Sequence, residues 1–206
     1  MTVAQRVGVF GGTFDPIHIG HLAAAQEAAE ALHLDRVFFV PNGRPPHKPS
    51  VAVSEVADRV AMVRRAIEDN PLFALSLIEV ERPGMSYLID TLRQFRQELQ
   101  SDTEIYCLVG CDALRDLHSW HLPERLLAEF QLVVPDRPSA HPIDWASIER
   151  HFPDIRRQIQ MVHVVQLQIS SEEIRARVAE ARSIRYYVPD SVYSYIQQCG
   201  LYRSER

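Results

Sequence analysis

Between Gly11 and His21 the chain reads Gly-Gly-Thr-Phe-Asp-Pro-Ile-His-Ile-Gly-His, directly behind a short apolar run from Val7 to Phe10. Adjacent glycines let backbone approach a ligand closely, since no side chain stands in the way. Amides in such a turn, continued by a helix N-terminus, make an anion site. His18 and His21, three residues apart with Gly20 between them, can then donate hydrogen bonds to one phosphate. Thr13 adds a hydroxyl, Asp15 a carboxylate and Pro16 a stiff point in the loop. The glycines alone would fit an ordinary turn. Together with the imidazole pair they indicate phosphate chemistry.

Four later stretches carry groups suited to the same ligand. Arg44-Pro45-Pro46-His47-Lys48-Pro49 is a stiff linker by composition, but Lys48 offers a point charge that matches phosphate. Asp112 follows an apolar strand and Gly110, where an acid accepts ribose hydroxyls or caps a helix. Trp120, among polar neighbours in Leu117 to His121, is either a core residue or a stacking surface. Ser170 and Ser171 open a helix, with Arg175 one turn on: hydroxyls that cap it, or an N-terminus that holds phosphates by amides, dipole and guanidinium. His18, His21, His47, His118 and His121 raise the possibility of a metal. However, no His-Glu-x-x-His or cysteine pair supplies the spacing that zinc needs, so no protein metal ligand is assigned.

These groups need a scaffold that brings distant stretches together, and the hydrophobic pattern supplies one. Val7 to Phe10, Val37 to Val40, Phe73 to Val80, Ile105 to Val109, Gln131 to Val134 and Val162 to Leu167 read as buried strands. Helical periodicity lies between them. It runs through Leu22, Ala25, Ala29 and Leu32, then from about Ser54 to Asp69, Tyr87 to Leu99 and Leu122 to Phe130. Ser170 to Glu173 reads as a capping box ahead of a helix bearing Ile174, Val178 and Ala181, and the last helix runs from Pro189 to a cap at Gly200. This alternation predicts an α/β fold, a doubly wound Rossmann-like parallel sheet flanked by helices, as a single domain over residues 1–206. Ligands then sit at the strand C-termini.

The totals agree with that class. The chain has 206 residues, 46% hydrophobic and 24% charged, as in an ordinary globular protein. A net charge of -5 with scattered Lys and Arg gives no nucleic-acid footprint. The three cysteines form no Cys-x-x-Cys pair, and no membrane-length apolar run or signal peptide stands out, so the expected location is the cytoplasm. A homo-oligomer is compatible with the chain, but nothing in the sequence specifies one.

The stretch Gly11–His21 resembles the HxGH signature of the nucleotidyltransferase superfamily. Further motifs resemble those of the bacterial nicotinate-nucleotide adenylyltransferases and extend nearly end to end: Pro46-His47-Lys48, Ser86-Tyr87 with Asp90-Thr91-Leu92, Gly110-Cys111-Asp112 with Trp120, Ile169-Ser170-Ser171 with Ile174-Arg175, and Tyr187-Val188-Pro189. The resemblance implies a reaction that joins nicotinate mononucleotide to ATP, releasing pyrophosphate, with Mg2+ bridging the ATP phosphates. It implies catalytic roles for His18, His21 and Lys48. ATP contacts would come from Gly11, Gly12, Phe14, His18, His21, Gly110, Asp112, Ser170, Ser171 and Arg175. Mononucleotide contacts would come from Thr13, Lys48, Tyr87, Leu88 and Trp120, the tryptophan stacking on the pyridine ring. Two positions depart from the family pattern: Leu88 replaces the threonine of Ser-Tyr-Thr near the nicotinate carboxylate, and Glu172 replaces the threonine after Ser171. Phosphopantetheine adenylyltransferase and cytidylyltransferases share the first motif, but not the stretches at Ser86 to Leu92 and Trp120. A non-catalytic nucleotide-binding regulator is the alternative from another class.

Overall fold

In the computed structural model, which describes residues 4–44, 53–136, 143–165 and 167–204, the apolar run behind the glycines lies in the interior of a six-stranded sheet. The strands are β1 (Arg6–Gly12), β2 (Arg36–Pro41), β3 (Phe73–Leu75), β4 (Glu104–Leu108), β5 (Gln131–Asp136) and β6 (Ile159–His163). Their order is β3-β2-β1-β4-β5-β6, and every neighbouring pair is parallel. Val9 of β1 stands opposite Phe38 of β2 and Cys107 of β4. Strand order reverses between β1 and β4, and a doubly wound sheet leaves its ligand crevice at such a point, outside the strand C-termini.

Ten helices surround the sheet in the described residues. They are α1 (Ile19–Leu32), α2 (Val56–Ile67), α3 (Ile78–Glu81), α4 (Leu88–Glu98), α5 (Cys111–Arg115), α6 (Pro123–Glu129), α7 (Trp145–His151), α8 (Ile155–Gln158), α9 (Ser171–Ala179) and α10 (Asp190–Cys199). Alternate side chains of each strand feed two cores, so the strands read as continuous apolar runs. Phe10, Val37, Phe39 and Leu108 face α1, α2, α9 and α10 through Ala25, Ala29, Met62, Ile174 and Ile196. Val7, Val9, Val40, Ile105 and Cys107 face the other way, toward Ile89, Leu92 and Phe95 of α4 and Leu126 of α6. The alanines of α1 let that helix lie close on the sheet beside the glycine turn.

Three expected elements differ from what forms. The strand expected over Phe73 to Val80 ends at Leu75. Ser76 Oγ then accepts from the Ile78 amide, and the chain turns into α3, burying Ile78 and Glu79. A short apolar run cannot by itself distinguish the two. The last strand is β6, earlier than Val162 to Leu167: pairing with β5 ends at His163, and the Val165 amide goes to the Glu27 carboxylate at 2.6 Å. Ala181 lies beyond the end of α9, in a left-handed turn at φ 55°. At the start of α9 the Ser170 hydroxyl accepts from the Glu173 amide at 3.1 Å, which is the serine half of the expected box. The short helices α3, α5, α7 and α8 carry too few periods to be read from pattern. Among the described residues no helix is long and apolar enough to cross a membrane.

Candidate active site

A cavity of about 490 Å3 opens where strand order reverses. Gly11, Gly12 and Thr13 at the end of β1, with Val109 and Gly110 beyond β4, form its base. Asn42, Glu79, Ser86 to Leu88, Asp116, Trp120 and His121 line the rest of it. The part at Ser86 is fixed by backbone. Ser86 Oγ accepts from the amides of Gly43 (3.1 Å) and Arg44 (3.3 Å), and the Ser86 amide donates to the Arg44 carbonyl at 3.1 Å. Gly43 also lets the start of α3 come close, because a Cβ there would stand 2.5 Å from the Glu79 carbonyl oxygen, a backbone atom. Tyr87 caps α4, and its ring stacks on His121 with centroids 4.3 Å apart and planes inclined at 27°. The cavity thus gathers Gly11, Gly12, Thr13, Tyr87, Leu88, Gly110 and Trp120 from the residues singled out in the sequence. It adds Asn42, Glu79, Asp116 and His121 to the lining.

Glu79 is 5% exposed and accepts from the Thr91 hydroxyl at 2.7 Å, while Arg82 Nη2 donates to Thr91 Oγ1 at 2.8 Å. Burial raises its carboxyl above the usual 4.5, and the Thr91 bond and Arg82 charge oppose that only in part. A raised carboxyl contributes stability that is present below its unfolded value and lost as pH rises through the folded one. Accordingly, Glu79→Gln, which keeps the Thr91 acceptor, is expected to gain stability on the wild type as pH climbs above about 4.5. Urea midpoints measured on both proteins check this; parallel curves would refute it.

A second cluster stands behind Gly12. Its missing Cβ would lie 2.9 Å from the Phe14 ring, which at φ 50° turns inward and packs edge-on against His21, 5.2 Å between centroids. Phe14 is therefore core, its ring packed under Gly12. His18 caps α1, is 3% exposed, and stacks on His21 at 3.6 Å. The His18 amide donates to His21 Nδ1 at 3.2 Å, which in a neutral imidazole puts the ring proton on Nε2. The start of α9 is tied to the same loop: Ser171 Oγ donates to the Pro16 carbonyl at 2.8 Å, and Arg175 Nη1 to the Asp15 carbonyl at 2.7 Å. His18, His21, Ser170, Ser171 and Arg175 are thereby brought together, although none borders the cavity. Glu172 is exposed at the first turn of α9.

The loop between these clusters rests on Arg59, which belongs to none of the motifs, and on Asp15, the carboxylate of the glycine stretch. Arg59, 1% exposed, donates through Nη1 to the Thr13 carbonyl (2.9 Å) and through Nη2 to the Asn42 carbonyl (2.8 Å), so it sets two lining residues at once. Asp15, 4% exposed, accepts from the Tyr202 hydroxyl at 2.7 Å and from the Ser54 amide at 3.2 Å. Burial lowers the Arg59 guanidinium and the Asp15 charge opposes it. The signal was present, because Arg59 shares the inward stripe of α2 with Met62, Val63 and Ile67.

Lys48 and His47 lie outside the described residues. Asp112 supplies backbone to the first turn of α5, and its side chain is likewise outside them. His118 stacks on His151 rather than joining the other histidines. Among the described residues no group of three or more His, Cys, Asp or Glu is placed to hold a metal ion.

Comparison with known proteins supplies the chemistry. The cytidylyltransferase-like family model matches residues 9–177. A protein of Thermomicrobium roseum named "Probable nicotinate-nucleotide adenylyltransferase" is 45% identical over 200 residues, 97% of this chain and 92% of that one. A protein of the same name from Thermus thermophilus is 44% identical over 199 residues, 97% of this chain and the whole of its own. The nicotinic acid mononucleotide adenylyltransferase of Plasmodium falciparum, solved in complex with NaAD, superposes with a TM-score of 0.79 at 23% identity, covering 96% of this chain and 97% of its own. That likeness speaks for the fold, and the sequence identities speak for the family. The chain belongs to the nicotinate-nucleotide adenylyltransferases, within the cytidylyltransferase-like family.

Proposed function

We propose that this chain joins nicotinate mononucleotide to ATP, forming deamido-NAD and pyrophosphate in NAD synthesis, and that the whole of residues 1–206 serves that one site. A phosphate oxygen of the mononucleotide attacks the ATP α-phosphorus in line; the new O–P bond forms as the bond to the β-phosphate oxygen breaks, and pyrophosphate leaves. Such transfer needs positioning and charge stabilisation rather than a protein nucleophile. The observation that carries the reading is the pairing of the two clusters across one glycine turn. The cavity with Thr13, Tyr87, Leu88 and Trp120 receives the mononucleotide. The amides and imidazoles behind Gly12 receive the triphosphate.

In this arrangement His21 and His18 donate to the α-phosphate as charge develops there, and Lys48 adds a positive charge. Gly11, Gly12 and the backbone of Phe14 let the phosphates come close to the N-terminus of α1. Gly110 and Asp112 serve the ribose, and Ser170, Ser171 and Arg175, at the start of α9, the distal phosphates. Arg175 already spends one nitrogen on the Asp15 carbonyl, so it both shapes the loop and presents its remaining donors. Donors of this kind suit an anion and not a cation, and Mg2+ enters with ATP, held by the phosphates and water. The exposure of Glu172 lets its carboxylate point away from them. The free cysteines Cys107, Cys111 and Cys199 support a reducing, cytoplasmic setting.

Pyrophosphate release tests the proposal, using magnesium, ATP and, separately, nicotinate mononucleotide, nicotinamide mononucleotide and phosphopantetheine. Turnover with the nicotinate form is expected. Release with phosphopantetheine alone would assign a sister activity, and tight nucleotide binding without product would favour a regulator.

A further inference from the structure

We infer that Tyr202 is a positioning residue for the triphosphate: through Asp15 it fixes the guanidinium of Arg175 in the orientation that meets the distal phosphates. The inference rests on the role given to Arg175 above. Asp15 is held through both its side chain and its backbone. Its carboxylate accepts from the Tyr202 hydroxyl at 2.7 Å and from the Ser54 amide at 3.2 Å, and its carbonyl accepts from Arg175 Nη1 at 2.7 Å. Tyr202 and Arg175 are thus joined by one buried residue of the glycine stretch, and a rotation of that residue changes both contacts.

The chain reaches Asp15 by a turn that is costly for a side chain of this size. Helix α10 stops at Cys199, Gly200 caps it at φ 66°, the Leu201 amide returns to the Ile196 carbonyl, and Tyr202 follows at φ 64°. A tyrosine in the left-handed region persists where its surroundings determine it, and here the hydroxyl is fixed on the carboxylate. Burial raises that hydroxyl well above the usual tyrosine range, so it remains a neutral donor. Arg175 stands half-buried in the second turn of α9, on a long side chain with several rotatable bonds. Holding one nitrogen on Asp15 removes much of that freedom before ATP arrives, which lowers the cost of binding. The mononucleotide half is held separately, by the bonds from Arg59 to the Thr13 and Asn42 carbonyls. Tyr202 therefore serves one substrate of the two.

The experiment compares wild type, Tyr202→Phe, Arg175→Gln and the double variant, each assayed below its melting temperature. Pyrophosphate release gives KM for ATP and for nicotinate mononucleotide, and equilibrium dialysis with ATP and magnesium alone gives an affinity that needs no turnover. Tyr202→Phe is expected to raise the KM and the dissociation constant for ATP about three- to tenfold, the worth of one ordered hydrogen bond. The KM for the mononucleotide and kcat should stay near their wild-type values. In the Arg175→Gln background the same change should add less than about twofold, because the group it positions is already gone. A tyrosine that only stabilised the fold would shift both substrates alike, or keep its full factor beside Arg175→Gln. Either result, or an unchanged ATP affinity in Tyr202→Phe, overturns the inference. If the wild type binds ATP but releases no pyrophosphate with the mononucleotide, the reaction reading fails, and dialysis still decides whether Tyr202 acts through Arg175.

Discussion

His21→Ala is expected to lower turnover by about 10²–10³-fold, equivalent to about 2.7–4 kcal/mol of transition-state stabilisation. The argument starts from the helix terminus. His18 caps α1, and its amide donates to His21 Nδ1 at 3.2 Å, so Nε2 is the nitrogen that carries the proton. The Phe14 and His18 rings pack against the imidazole at 5.2 and 3.6 Å, which holds that donor in one orientation without substrate. A donor oriented beforehand needs no rearrangement when charge develops at phosphorus. Its removal should therefore lower kcat and kcat/KM together, rather than raise KM alone. Alanine also takes away the acceptor of the His18 amide. His21→Asn separates the two effects, since a short amide at this helix position can still accept that bond but does not replace the ring N–H. Both variants should lose turnover, and only the alanine protein should lose stability, by about 1 kcal/mol. Nearly full turnover in either one would refute the assignment.

The front of the site was legible in the sequence because it is local. A glycine pair, two imidazoles and the helix they open all fall within Gly11 to His21, where spacing maps directly onto a strand, a turn and a first helical turn. The fold was legible for a related reason: parallel strands buried on both faces leave apolar runs such as Val37 to Val40 and Ile105 to Val109, whatever their partners are. What could not be read was contact between distant stretches. Glu79 reaches the cavity only because the chain leaves β3 after Leu75, and an apolar run does not reveal where a strand stops. Asp116 and Asn42 line the cavity by their place at strand and helix ends, with no spacing to announce them. His121 was visible as a histidine, but its partner Tyr87 lies 34 positions earlier. Arg59 left a trace, a cation on the apolar stripe of a helix, which is the mark of a buried charge with a structural task.

That task gives the largest expected change in stability. Asp15→Ala is expected to destabilise the protein by about 3–5 kcal/mol, because two buried donors lose their acceptor, at about 1–3 kcal/mol each, and a buried cation loses a charge that offsets its burial. Asp15 and Arg59 are 4% and 1% exposed, so neither can exchange its partners for water in the folded chain. Alanine removes the acceptor of the Tyr202 hydroxyl and of the Ser54 amide, and it removes the negative charge that offsets the burial of Arg59. The guanidinium stays charged and keeps its bonds to the Thr13 and Asn42 carbonyls, now with less negative charge to offset its burial. At about 2–4 °C per kcal/mol for a chain of this size, the melting temperature should drop by about 6–20 °C. Tyr202→Phe, which deletes a single donor to the carboxylate, should lose about 1–3 kcal/mol. Because both changes act on one bond, the double variant should be little worse than Asp15→Ala alone, and the coupling in a double-mutant cycle measures the link between the last turn of the chain and the glycine loop. Additive losses, or a Tyr202→Phe protein as stable as wild type, would mean that the loop is held by Arg59 and Arg175 without help from the C-terminus.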